Sequence, residues 1–472
     1  MPVDQPHVTE GAPARAGALR GRNAAFLVAA ILATGALILA ARADRSDAGQ
    51  APAAVAAAAV AAPSAASGFA AAMQAAESGS PAERRIAAAR AALEKDPKRA
   101  SLWNDLALGL TRRARETADT AFYREAWTAA ERSLQNEPGN LEARKLQVWI
   151  LLGQHEFQRA VDTAEQINRS TPDDVLVYGF LVDGYTELGR YAEAEKAAQW
   201  MLDMRPGNVP GLTRAAYLRE LFGDHEGAVE LMDTAYRRTA HAEVEDRAWI
   251  LTQIAHLSLL TCRTGPAEAL LTEALKLFPD YHYALAQMAE LRVAQGRLQE
   301  AAKLRARHVE VAPHPENRYE LGATLARAGK SAVAEVAWQA FETAARAEMS
   351  GWDNANVELI YYYVDHAGRP AEALAIARRE VGRRRDVRTL EALAWALQAN
   401  GRSSEAKTEM DKALAVGIRT GASFYRAGTI AAAAGDATAA RKYWEQSLST
   451  CSTSAVADSA RARLQGKMAE AK

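Results

Sequence analysis

Five prolines set the frame of this chain: Pro138, Pro172 and Pro206 stand 34 residues apart, and Pro279 and Pro313 repeat the interval. A fixed period of this size marks a stacked helical repeat, because one helix-turn-helix unit cannot bury its own apolar face and must be covered by the next. Alanines keep the same register at Ala126, Ala160, Ala194, Ala228, Ala267, Ala301, Ala334, Ala373, Ala406 and Ala440, with gaps of 33, 34 or 39 residues. In so alanine-rich a chain those positions alone would decide little. Their surroundings decide it.

The clearest unit runs from Val175 to Asn208. Tyr178, Leu181, Val182 and Tyr185 form one face of a first helix, and Leu188-Gly189-Arg190-Tyr191 forms a turn. Ala194, Ala198 and Met201 face inward on a second helix, which Pro206 ends. The same order recurs as Trp103, Leu106, Ala107 and Leu110 with Ala126 and Pro138, after about seven extra residues between the helices. It recurs again as Leu285, Met288 and Ala289 with Gly296, Leu298, Ala301 and Pro313, and as Phe424, Ala427 and Gly428 with Gly435, Ala440 and Trp444. Small residues let two helices approach, large ones fill the neighbouring groove, and Gly or Pro stops each helix.

This pattern resembles the tetratricopeptide (TPR) family. The resemblance implies an all-α fold, a right-handed superhelical solenoid of about ten TPR-like helix-turn-helix repeats spanning residues 82–450, with a capping helix in 451–472. The unit Leu141–Asp174 departs from it by placing Arg144 and Gln147 where large apolar residues are expected. The two 39-residue gaps put insertions near Thr239–Glu245 and Ala345–Asn354, each a candidate loop, longer helix or bend.

Composition agrees with an all-helical chain. Aromatic residues make up 7 % and β-branched runs are rare, so helix propensity dominates. Lys and Arg total 57 against 58 Asp and Glu, for a net charge of -1. That balance offers no field for phosphates, so no nucleic acid partner is expected. The two cysteines, Cys262 and Cys451, have no CxxC companion, and residues so distant in a stacked solenoid should lie several repeats apart. Both read as free thiols that leave the redox compartment open.

Residues 24–41 (AAFLVAAILATGALILAA) carry no charge over 18 positions, the length of a helix of roughly 27 Å, close to the bilayer hydrocarbon thickness. Arg15, Arg20 and Arg22 precede the segment, so 1–23 is expected to remain as a cytoplasmic tail while the bulk of the chain crosses. The segment is a transmembrane anchor or, because Ala41-Arg42-Ala43 has a small-x-small form, a signal peptide. Both readings put the solenoid outside the cytoplasm: as a single-pass membrane protein with a periplasmic solenoid, or as a protein secreted to the periplasm. The Ala/Pro-rich stretch 42–80 reads as a linker, and the whole looks like the bacterial membrane-anchored type.

No catalytic motif stands. Gly329-Lys330-Ser331 echoes a phosphate-binding loop, but Thr324 occupies the place of its first glycine and the preceding segment ENRYELGATLARA is helical, so Gly329 is read as a hairpin turn. The nine histidines form no HExxH, and no metal or cofactor is expected. His366 beside Asp365 is read as a cation at a helix C-terminus rather than as an acid–base pair. The run Arg378, Arg379, Arg383, Arg384, Arg385 and Arg388 offers a dock for an acidic partner, with a solvated helix end as the favoured reading.

In proteins resembling this family the residue after the small packing residue of each first helix looks into a concave groove. Here that row is Leu108, Trp149, Asp183, Tyr217, His256, Glu290, Ala323, Tyr362, Trp395 and Thr429. Rigid aromatics with a few carboxylates suit the capture of a peptide or helix, and packing between curved helices is an equal alternative. The expected function is a membrane-tethered, non-catalytic scaffold that binds protein partners or peptides through Trp149, Asp183, Tyr217, His256, Glu290, Tyr362 and Trp395. Its alternatives are an accessory subunit of an envelope enzyme and a carbohydrate-binding solenoid.

Overall fold

A computed structural model describes residues 79–466 of the chain, apart from 352. Among these residues every regular element is a helix. The first, α1 (Pro81–Lys95), is followed by α2 (Ala100–Thr117), α3 (Ala121–Asn136), α4 (Leu141–Gly153), α5 (Phe157–Ser170), α6 (Val175–Glu187) and α7 (Tyr191–Met204). Next come α8 (Val209–Leu221), α9 (His225–Arg238), α10 (Val244–Leu260), α11 (Thr264–Leu277), α12 (His282–Ala294), α13 (Leu298–Val311), α14 (Pro315–Arg327) and α15 (Ser331–Glu348). The last are α16 (Asn356–Asp365), α17 (Pro370–Glu380), α18 (Val387–Ala399), α19 (Ser403–Val416), α20 (Gly421–Ala433), α21 (Ala437–Thr450) and α22 (Ala457–Leu464). From α2 with α3 to α20 with α21, consecutive helices pair into hairpins, and each hairpin packs on the next. The fold is a TPR-like helical solenoid.

Local sequence explains the repetition. Asp174, Asn208, Asp224, Asp386 and Asp436 each accept a backbone N–H of the first turn of the helix they precede, so their side chains start α6, α8, α9, α18 and α21. Pro138, Pro172, Pro206, Pro279 and Pro313 each follow the C-cap of a second helix, where the ring prevents continuation. All ten register alanines are at most 1 % exposed. They are the points of closest helix approach, and larger side chains such as Phe157, Phe180, Met201 and Phe341 fill the space between units.

One left-handed residue closes every hairpin. Seven are glycines: Gly189, Gly223, Gly296, Gly329, Gly368, Gly401 and Gly435. The other three are Ala118, His155 and Cys262, with φ of 55°, 59° and 58°. A side chain there costs roughly 1 kcal/mol or more in backbone energy.

The solenoid coils back on itself. Four successive hairpin turns meet four successive inter-hairpin connections of the following superhelical turn. His155 Nδ1 lies 3.2 Å from Asp353. Arg385 N–H donates to the Glu187 carbonyl at 3.1 Å, and Val387 N–H donates to the Tyr191 hydroxyl at 3.0 Å across 196 residues. Gly417 lies against the Phe222 backbone so closely that a Cβ would stand 2.9 Å from the Phe222 Cα. Cys262 and Cys451 form a disulfide with a Cα–Cα distance of 5.2 Å. Between five and six repeats therefore complete one turn over this seam.

Three expectations change accordingly. The cysteines are not free thiols: residues 189 apart are distant along the stack, but coiling returns one turn of the stack to the other. The insertions are partly extra helix, since α10 has 17 residues and α15 has 18 against the usual 13 or 14 of their neighbours. The single-pass membrane localisation is also corrected, because no helix among the described residues is long and apolar enough to cross a membrane. The segment 24–41 on which it rested, with the tail 1–23 and linker residues 42–78, lies outside the described residues, as do 467–472.

Candidate interaction face

The inner-row residues sit on the first helices of successive hairpins, and most already have partners. Asp183 on α6 accepts from Arg214 Nη2 on α8 at 2.6 Å. Burial pushes the Asp183 carboxyl up, and Arg214 only partly offsets this. Glu290 on α12 pairs with Arg305, which also reaches Glu320 on α14 at 3.5 Å. Trp395 on α18 donates its indole N–H to Asp365 at 2.8 Å. Trp149 on α4 lies with its ring centroid 6.5 Å from that of Phe180, and Tyr217 on α8 is half-buried. Burial first, then the charges of Glu187, Tyr191, Glu220 and Asp386, raise the Tyr217 phenol well above its ordinary range.

Two row members are enclosed. Tyr362 is 5 % exposed and meets Phe341 edge to face at 5.6 Å, so its ring packs toward the second helix α15. His256 is 3 % exposed, with Nε2 at 3.1 Å from Glu220 Oε1. The distance alone allows an ion pair. Burial lowers the imidazole to about 3 and raises the Glu220 carboxyl, so the contact is a neutral hydrogen bond at pH 7. Of the remaining row, Thr429 is buried and Leu108 and Ala323 are half-buried.

The arginine run divides: Arg378, Arg379 and Arg385 are exposed, the first two at the end of α17 as a solvated helix end would be, whereas Arg383, Arg384 and Arg388 are half-buried. Arg384 bonds Glu187 at 2.9 Å and Asp386 at 2.7 Å, and its guanidinium lies 5.5 Å from the Phe157 ring centroid. Arg383 donates to the carbonyl of Ser350 at 3.0 Å, and Arg388 pairs with Glu358. Burial pushes the Glu187 carboxyl up to about 7, with Arg384 opposing. Burial would also raise Asp386, but Arg384 and the hydrogen bonds from Thr389 hold it below the usual carboxylate range. Within the run, the Arg384 side chain and the Arg385 backbone N–H tie the second superhelical turn to the first.

A second long-range junction, closed over about four repeats, uses the extra turn of α2. Arg115 Nη2 lies 3.0 Å from both Glu245 and Asp246, and Arg112 lies 3.1 Å from Glu243. His282 Nε2 donates to the Arg115 carbonyl at 3.1 Å across 167 residues. Burial keeps His282 neutral, at about 4. Both 39-residue gaps therefore supply long-range partners: Glu243 and Glu245 in one, and Asp353, which reaches the other superhelical turn, in the second. The signals available in the sequence were those gaps and the replacement of a turn glycine by His155 or Cys262.

The motif-like residues take local roles. Gly329 is the left-handed residue of the α14–α15 turn, with φ of 76°. His366 caps α16, but burial lowers its pKa, so it is no cation there; its ring stacks on Trp338 at 4.0 Å. Among the described residues no group of three or more His, Cys, Asp or Glu is placed to hold a metal ion. The exposed large apolar residues include Trp200, 46 % exposed, which stacks on Tyr178 at 5.5 Å.

No family model matches the chain, and no curated protein matches it. Among solved structures it is similar to the Cut9–Hcn1 hetero-tetramer of the APC/C, at 15 % identity over 69 % of this chain and 54 % of that one, with a TM-score of 0.44. The chain thus spans about half the length of that protein. A human IFIT1 dimer with PPP-AAAA is similar at 13 % identity over 74 % of this chain and 82 % of that one, TM-score 0.43. PilW, a type IV pilus biogenesis factor, is similar at 14 % identity over 43 % of this chain and 91 % of that one, TM-score 0.33. Likeness at this level carries nothing about partners. The fold assignment stands on the hairpins themselves.

Proposed function

We propose that this protein is a non-catalytic scaffold that holds a protein or peptide partner along the first-helix face of its solenoid. The observation that supports this reading is the inner row itself. Trp149, Tyr217 and Trp395 remain half-buried rather than enclosed, and the carboxylates of Asp183 and Glu290 stand on the same row. Part-exposed aromatics give rigid contact area at little entropic cost. His256 and Tyr362 support the row from beneath, because their side chains are already enclosed.

The test is parallel affinity capture by the native chain and by Trp149→Ala/Tyr217→Ala/Trp395→Ala, with thermal melts run on both. The reading expects a defined protein retained by the native chain and lost by a variant that still melts cooperatively. Equal retention by both would move the binding surface away from this row.

A further inference from the structure

We propose that the Cys262–Cys451 disulfide is a redox latch that sets whether the coil is closed at its C-terminal end. The bond ties the α10–α11 turn to the connection between α21 and α22, and it is the last of the four seam contacts along the chain. The three before it are non-covalent: the His155–Asp353 contact, the Glu187 and Tyr191 bonds to residues 384–387, and the Phe222–Gly417 approach. Beside the disulfide, Cys262 Sγ also lies 3.2 Å from the Thr453 hydroxyl.

Two independent observations mark Cys262 as more than a filler. It occupies a left-handed position that glycine fills in seven of the hairpins, so its side chain is carried against a backbone penalty. His155, which occupies the same position three hairpins earlier, also reaches across to the other turn. Cys262 is half-buried while Cys451 is 6 % exposed, so an incoming thiolate meets the Cys262 sulfur first. A dithiol reductant attacks Cys262 Sγ, and Cys451 leaves as a thiolate that takes up a proton. The second thiol of the reductant then resolves the mixed disulfide and releases Cys262 as a thiol. Two electrons pass, and the reductant ends as its own disulfide. The hairpin α20–α21 and α22 then part from the α10–α11 turn, which opens the coil from that end.

The experiment is amide hydrogen exchange on the full chain, with and without a dithiol reductant, in parallel with Cys262→Ser/Cys451→Ser. Reduction is expected to lower protection at least tenfold in 258–264 and 417–464, to leave α4 to α7 unchanged, and to have no further effect on the double variant. Unchanged protection on reduction would overturn the latch. Loss of protection throughout the chain would also overturn it, since the bond would then be a general staple. The readout needs no partner, so it fails or succeeds independently of the scaffold reading.

Discussion

Inside the hairpins one contact is made ten times, an alanine against the neighbouring helix, whereas along the seam no two contacts are chemically alike. The seam uses a histidine–carboxylate pair, an arginine between two carboxylates, a glycine laid on backbone, and a disulfide. Hairpin contacts join nearest neighbours, so a short period encodes them and their energies add along the stack. Seam partners lie 189 to 198 residues apart and need not repeat. The period builds the rod, and the seam holds its coil.

The comparison breaks most visibly at the disulfide. Replacing both cysteines with serine frees the last hairpin from the α10–α11 turn, and the unfolding of residues 417–464 is expected to become easier by about 2–4 kcal/mol while α4 to α7 hold. Denaturant unfolding without reductant measures it, and a loss under 1 kcal/mol would make this seam contact incidental. Arg384→Ala should cost about 3 kcal/mol at pH 8, because it leaves Glu187 and Asp386 buried without their partner. The cost should shrink at pH 6, where Glu187, raised to about 7, takes a proton. An equal loss at both pH values would contradict the Glu187 assignment.

Ala194→Trp tests the other side of the comparison. Ala194 has no exposed surface, so the indole overpacks a helix contact and should cost about 1–3 kcal/mol, read from the thermal midpoint. No loss would mean that the register is wrong. Acid sharpens the contrast at similar scale. His256 and His282 are lowered to about 3 and 4 by burial, so the stability they contribute is fully present above their unfolded value near 6.5 and is lost as pH falls toward those folded values. At pH 5 each accounts for about 2 kcal/mol, and His256→Gln should flatten part of the acid limb of a stability–pH curve. An unchanged limb would remove His256 from the account. The smallest effect separates two left-handed residues: Ala118→Gly should raise stability by about 0.5–1 kcal/mol, while His155→Gly should gain less because it also loses Asp353. Equal gains would leave the His155 contact without energetic weight.

The same contrast explains what the sequence revealed. The prolines, the turn glycines and the ten alanines are each local stops or close approaches, so their spacing together with the residues around them locates the hairpins. The Cys262–Cys451 bond is hidden in the sequence because distance along a stack equals distance in space only for a solenoid that does not close on itself. Arg384 looked solvated because the carboxylate it meets, Glu187, belongs to another turn. Register puts the row residues on the first helices of successive hairpins, where the structure has them. Register could not say that Tyr362 turns toward Phe341, since that depends on which neighbour leaves room for the ring.

The coil itself is tested most directly by non-reducing peptide mapping of the native full chain after alkylation of free thiols. The account predicts a single cross-linked species joining the peptide that contains Cys262 to the one that contains Cys451, with neither cysteine alkylated. Alkylation of both cysteines in the folded chain isolated without reductant would contradict the closed seam.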